Sequence, residues 1–360
     1  MKFVDDFRDR ELCEIVLEQI HRESKRSITI MEVCGGHTMA LHRFGIPSLL
    51  PPTIDLLSGP GCPVCVTGRG FIDHAIRLAM QEKTAVCTYG DLIQVPGSES
   101  TLEKAKAGGA DVRIVYSPMQ CVDMAAWNED MKFVFLGIGF ETTAPASAIA
   151  LRTAKELDLK NFFLFSAHKV MPQAMAAIIH AGVKVDAYLC PGHVSAITGT
   201  KMYEPLVGQF GVGCVVSGFE PLDLLQSILM LVKQHEHNNP VVEIQYTRAV
   251  KPEGNTKAQS ILNQVFEPCD AWWRGLGILP QSGLKPSISF RKYDAVEFFD
   301  LSGDEPPDPP GCCCCEVLKG LIKPMDCKLF SIVCTPANPV GACMVSAEGA
   351  CQSFFRYANS

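Results

Sequence analysis

Two short loops and one dense stretch carry thiols at spacings that permit chemistry. Cys62-Pro-Val-Cys65 is a C-x-x-C loop flanked by glycine. Its spacing lets both sulfurs close a disulfide or bind one metal ion. Cys34-Gly-Gly-His37 sets a thiol and an imidazole three positions apart at a strand-to-helix transition. Backbone N–H groups and the helix N-terminus are expected to lower the Cys34 pKa and favour the thiolate, with His37 placed to orient or deprotonate the sulfur. Further on, Cys312 to Cys315 are consecutive, and Cys327, Cys334, Cys343 and Cys351 follow. Four well-separated thiolates suit zinc or an iron–sulfur cluster. The scarcity of close cysteine pairs, which a zinc ribbon prefers, favours iron–sulfur. Each motif also has a plainer reading. The C-x-x-C thiols could be inert small hydrophobes, the Cys-Gly-Gly-His loop a tight turn with a satisfied histidine, and the C-terminal metal a staple for an irregular domain.

Two further residues are candidates. Glu141 follows Gly137-x-Gly139-Phe, which lacks the third glycine of a dinucleotide loop, so Glu141, Thr142 and Thr143 are expected to face a cleft or cap the next helix. His193, in Pro191-Gly-His, is either a proton relay or a hydrogen-bonded structural histidine. Cys13, Cys87, Cys121, Cys214 and Cys269 have no partner at useful spacing and are assigned to packing.

The elements around these motifs read as strands alternating with helices. Short apolar runs at 27–33, 54–57, 84–89, 112–116, 133–138, 162–165, 187–190 and 213–217 are separated by helical patterns, which predicts parallel βαβ units. Cys34, Cys62/Cys65, Glu141, His193 and Glu220 each come just after a strand. In open parallel sheets the ligand crevice lies outside the strands' carboxyl ends, so these side chains are expected to converge in a cleft. The expected fold is α/β: two doubly wound parallel-sheet domains, 1–120 and 121–238, and an irregular, partly α-helical iron–sulfur domain at 239–360. The polar stretch Gln234–Pro240 reads as a linker, followed by a strand at 242–250 and a helix near 254–266.

Composition narrows the classes. With 360 residues, 47% hydrophobic and 20% charged, the chain has apolar material for more than one core and is not disordered. A net charge of -7 gives no basic footprint for nucleic acid. No secretory h-region and no uncharged 18-residue run appears, so a cytoplasmic, non-membrane protein is expected. In a reducing compartment, 17 cysteines point to metal or thiol chemistry more than to disulfides.

Taken together, the sequence resembles the HypD family of hydrogenase maturation proteins. The resemblance is carried by Glu32-Val-Cys-Gly-Gly-His-Thr38, Gly59-Pro-Gly-Cys-Pro-Val-Cys65, Gly139-Phe-Glu-Thr-Thr-Ala-Pro145, Cys190-Pro-Gly-His-Val-Ser195, Gly218-Phe-Glu-Pro221 and Cys343-Met-Val-Ser-Ala-Glu-Gly-Ala-Cys351. It implies a scaffold and redox factor that builds the Fe(CN)2CO unit of [NiFe] hydrogenase with the small chaperone HypC. Cyanide would come from HypE, with HypF supplying its carbamoyl precursor, and the chain would be a monomer on its own. It implies that Cys34, Cys62 and Cys65 hold iron or do redox work, with His37 beside them; Glu141 and His193 stay candidates from their position after strands. A [4Fe-4S] cluster would be held by Cys312 or Cys314 with Cys327, Cys334 and Cys351. Two departures stand out: Met39 replaces a second histidine found in many members, and the family's C-x-C-G-E appears as Cys312-Cys-Cys-Cys-Glu316. Two other readings remain open at this point: a [4Fe-4S]-dependent thiol–disulfide oxidoreductase acting on a protein, and a structural interaction platform.

Overall fold

The computed structural model describes residues 5–357. Eleven strands are present among them: β1 (Ile28–Glu32), β2 (Ile54–Ser58), β3 (Thr84–Thr88), β4 (Val112–Ile114), β5 (Lys132–Gly139), β6 (Phe162–His168), β7 (Ala187–Pro191), β8 (Gly213–Ser217), β9 (Val242–Ile244), β10 (Phe266–Trp273) and β11 (Gly277–Pro286). They form a five-stranded sheet ordered β2-β1-β7-β8-β9, a four-stranded sheet ordered β4-β3-β5-β6, and the hairpin β10-β11. Every pairing within the two larger sheets is parallel. The fold is α/β, as expected.

Burial on both faces explains the apolar strand runs. All of β5 except Lys132 is buried, between β3 and β6. Each of Val134, Phe135 and Leu136 there contributes about 1.5–3 kcal/mol relative to an exposed position. Helix ends follow local chemistry: Asp9 accepts from Leu12 N at 2.9 Å to start the helix Arg10–Glu23. Pro221 opens Pro221–Glu236, where Asp223 accepts from Glu220 N at 3.1 Å.

The strands divide between sheets differently from the expected segments. β1 and β2 share a sheet with β7, β8 and β9, so the chain leaves this sheet after β2, builds the second sheet, and returns. The expected boundary at 120 falls between β4 and β5, both in the second sheet. The one at 238 falls between β8 and β9, which are paired. The physical reason is that interchangeable apolar strands carry no local mark of their neighbours. The expected linker is also corrected: the helix Pro221–Glu236 runs into it, and Gln234 is buried with its amide on Glu243 at 2.6 Å. β9 is three residues long, since the chain turns at Gln245–Val250.

The hairpin is an element the pattern did not announce. It packs against the carboxyl end of β6 through Val170 N on Ser282 O at 3.0 Å and Ser166 Oγ on Leu284 O at 2.6 Å. From Leu301 to Gly349 the described chain has no named strand and only short helical turns, before the helix Ala350–Tyr357 packs against Gly35–Arg43. No described helix is long and apolar enough to cross a membrane.

Candidate iron and thiol site

Each parallel sheet reverses its order once, and the principal candidate residues sit at the reversal of the first, where β1 lies beside β7. That is the crevice position expected of an open α/β sheet. Cys34 caps the helix Gly35–Arg43 just beyond β1, and His193 opens the helix Gly192–Thr198 just beyond β7. Cys34 Sγ lies 3.8 Å from His193 Nδ1.

Buried polar groups pin this loop. Glu32 accepts from Cys34 N at 3.0 Å and from the Thr38 hydroxyl. Burial pushes the Glu32 carboxyl up to about 8. The loop after β2 is stitched to the same place by Gly59 N on Glu32 O at 2.8 Å and Gly35 N on Gly61 O at 3.1 Å. A side chain at Gly61 would sit 2.2 Å from Cys34 N, so glycine is required for this approach. One residue later Cys62 starts the turn Pro63–Val66, its sulfur accepting from Cys65 N at 3.3 Å. Cys34, Cys62 and Cys65 are all buried.

The expected low pKa of Cys34 is corrected. Burial, reinforced by the nearby Glu348 carboxylate, pushes the thiol well up and outweighs the N–H groups of His37 and Gly36. A cation arriving at Cys34 would have to displace its proton. The His37 imidazole is turned to another partner than the Cys34 sulfur; its Nε2 lies 3.0 Å from Gly218 O. A carbonyl only accepts, so Nε2 carries the proton, leaving buried Nδ1 with a lone pair and no partner. Burial, with His193 beside it, pushes His37 down to about 3, and burial pushes His193 down to about 4, so both rings are neutral. Phe219 packs on both, at 4.9 and 5.4 Å.

Glu141 stands apart from these groups. It lies beyond β5 in the second sheet, where Oε1 accepts from Met171 N at 3.0 Å and Oε2 is buried without a partner. Burial pushes its carboxyl up to about 7.

Most of the C-terminal cysteines gather in one place. Cys312, Cys313, Cys314, Cys327, Cys334, Cys343 and Cys351 line one small cavity whose other walls are apolar. Cys315 turns away, its thiol donating to Asp308 at 2.8 Å. Cys314 and Cys343 sulfurs lie 2.7 Å apart, and the Cys343 thiol also partners Cys351 and Cys65. Cys65 is thus the link between the loop after β2 and the cavity. Thiols with apolar walls are a donor set suited to an iron–sulfur cluster. No group of three or more His, Cys, Asp or Glu among the described residues is drawn into a ready metal-holding arrangement.

The family model described as "HypD: Hydrogenase formation hypA family" matches residues 11–358. The chain belongs to the HypD family. It is 45% identical to "Hydrogenase maturation factor HypD2" of Bradyrhizobium diazoefficiens over 99% of this chain and 97% of that protein. It is 45% identical to HypD of Azotobacter vinelandii, with the same two coverages of 99% and 97%. HypD of Escherichia coli K12 is 42% identical over 99% of this chain and 98% of its own. HypD membership places the chain in hydrogenase maturation. Sequence reasoning left Cys343 open and missed Glu32 and Glu348. Glu348 had a signal, because it lies inside the Cys343–Cys351 motif and its Cβ would stand 2.5 Å from a side chain at Gly35.

Proposed function

We propose that the chain is the scaffold and redox factor on which the Fe(CN)2CO centre of [NiFe] hydrogenase is assembled, with HypC, and with cyanide received from HypE downstream of HypF. The observation that carries this reading is the junction of three thiol groups. Cys34 faces His193 in a buried crevice, Gly61 brings the C-x-x-C loop against Cys34, and Cys65 reaches Cys343 at the cysteine-lined cavity. Soft thiolates at Cys34, Cys62 and Cys65 suit low-spin Fe(II), the cargo. His193 and Phe219 wall the crevice, and His37, its Nδ1 unpartnered, packs against Phe219. Glu141 has no direct contact with that crevice, so its role is to hold the start of the helix Met171–His180.

Release of cyanide from a thiocyanate takes two electrons and one proton: R–S–CN + 2e⁻ + H⁺ gives R–SH and CN⁻. Oxidation of the Cys62/Cys65 dithiol to its disulfide supplies both electrons and two protons, one for the leaving thiol and one for cyanide or solvent. The Cys314–Cys343 contact favours these two as a second dithiol, leaving Cys312, Cys327, Cys334 and Cys351 to hold a [4Fe-4S] cluster. Such a cluster, when bound, would supply electrons one at a time. The oxidoreductase reading is disfavoured because Cys62 and Cys65 are 3% and 0% exposed, too buried to meet a protein substrate.

Infrared spectroscopy of the protein purified anaerobically with its small partner tests the reading. Metal-cyanide and metal-carbonyl bands are expected in the wild type and should vanish in Cys34→Ala; their absence from iron-replete wild type would overturn the scaffold role. Cyanide transfer at the wild-type rate in Cys65→Ser would overturn the redox role.

A further inference from the structure

We propose that Arg274, braced by Asp308, is a positioning residue for two-electron exchange between the Cys62/Cys65 pair and the Cys314/Cys343 pair. The inference rests on the redox part of the function proposed above. Arg274 sits in the turn between β10 and β11 and is 2% exposed. It grips three consecutive carbonyls of the C-x-x-C turn: Nε donates to Cys65 O at 3.0 Å, the backbone N to Val66 O at 2.9 Å, and Nη2 to Thr67 O at 2.9 Å. The remaining arm pairs with Asp308, and the second Asp308 oxygen takes the Cys315 thiol at 2.8 Å. The next residue, Gly275, has φ +82°, and a Cβ on it would lie 2.9 Å from Cys315 O. The hairpin turn therefore rests directly on the backbone of the cysteine quartet.

Asp308 belongs to an extended strap that is fixed independently. Glu305 accepts from Gly70 N at 3.1 Å at the start of the helix Arg69–Ala79, and Arg69 donates to Pro307 O. Arg274 and the strap thus clamp the chain from Cys65 to Gly70 against the hairpin turn that rests on Cys315. The clamp sets the separation and angle at which Cys65 meets Cys343. A buried guanidinium is strongly unfavourable unless fully paired. Here its donors are committed to the two segments whose sulfurs must meet.

The exchange has a strict geometry. The Cys343 thiol gives up its proton and its sulfur attacks Cys65 Sγ of a Cys62–Cys65 disulfide. That S–S bond breaks, and its electron pair leaves on Cys62, which takes a proton. The Cys314 sulfur then attacks Cys343, gives up its own proton, and releases Cys65, which is protonated. Two electrons and two protons pass from Cys314/Cys343 to Cys62/Cys65, and no other reductant enters. In-line attack needs three sulfurs aligned, so a shift of about 1 Å in the C-x-x-C turn slows it about 100-fold.

The test uses the full chain, purified anaerobically as it is isolated. Thiols are oxidised with one equivalent of a diazene oxidant, quenched by alkylation at intervals, and mapped by mass spectrometry to find which pair holds the disulfide. In the wild type the disulfide moves between the pairs. Arg274→Met slows that movement about 10- to 100-fold, and Arg274→Lys, which keeps the charge on Asp308, recovers part of the rate at equal melting temperature. Asp308→Asn slows it less than Arg274→Met. Movement at the wild-type rate in Arg274→Met overturns the proposal. Should that variant not fold, wild-type rates in both Arg274→Lys and Asp308→Asn overturn it. A wild type in which the disulfide never moves overturns the redox reading itself, an outcome distinct from equal rates in the variants.

Discussion

Gly61→Ala perturbs the crevice without touching a thiol. The new methyl would stand 2.2 Å from Cys34 N, 2.4 Å from Val33 C and 2.5 Å from Cys34 Cα, all backbone atoms of a loop tied by Glu32. Ordinary contact needs about 3.5–4.0 Å between carbons, so one of the two loops must retreat by more than an ångström. Cys34 is held by β1 and by the helix it caps, so the loop from Gly59 to Cys65 gives way. Overpacking of this kind costs about 2–3 kcal/mol, a fall in Tm of about 3–4 °C for a chain of this size. Displacing one thiolate from a shared iron would weaken iron retention at least about tenfold. Differential scanning calorimetry and iron content after gel filtration measure both effects. Gly208→Ala is the control, because its Cβ meets nothing within 4 Å in the helix Glu204–Phe210, and it should be neutral or stabilising by about 0.5–1 kcal/mol. If Gly61→Ala melts within a degree of wild type and keeps its iron, the apposition of the two loops is refuted.

Two further outcomes follow from buried groups. Glu141 has a folded pKa of about 7, above its usual 4.5, so the folded chain binds the extra proton. Its contribution is fully present below pH 4.5 and is lost as pH rises through 7. Glu141→Gln keeps an acceptor for Met171 N, and should match wild-type stability near pH 4.5 while exceeding it by up to about 3 kcal/mol at pH 8; urea unfolding across that range measures the gap, and a gap that does not change with pH refutes the buried carboxyl. Stripping iron with a chelator should make the segment from Leu301 to Gly349 the first site of limited proteolysis, since it has no named strand to hold it. Equal cleavage rates before and after would count against a cluster there.

The loops that carry chemistry were legible because Gly, Pro and Cys at strand ends mark them locally. Cys34, Cys62 and His193 lie just beyond strand ends, and seven of the C-terminal cysteines line one cavity. Strand neighbours were not legible: β1 and β7 are both short apolar runs, and only packing decides that they pair. The Cys34 acidity was misjudged because the helix N-terminus is visible in sequence and burial is not. Arg274 was passed over because an arginine ordinarily reads as surface, and the hairpin around it was hidden by Pro268, Pro280 and three glycines that break strand alternation.

The insertion of the second sheet into the first also bears on synthesis. Cys34 and His193 are 159 residues apart, and β1 lacks one of its two strand partners until β7 has been made. On the ribosome the nascent chain therefore exposes the Cys34 and C-x-x-C thiols long before a crevice exists to shelter them. The loop-closure cost of so distant a pairing makes this the slow part of folding. The crevice between β1 and β7 is thus completed late, only after the whole second sheet has been made.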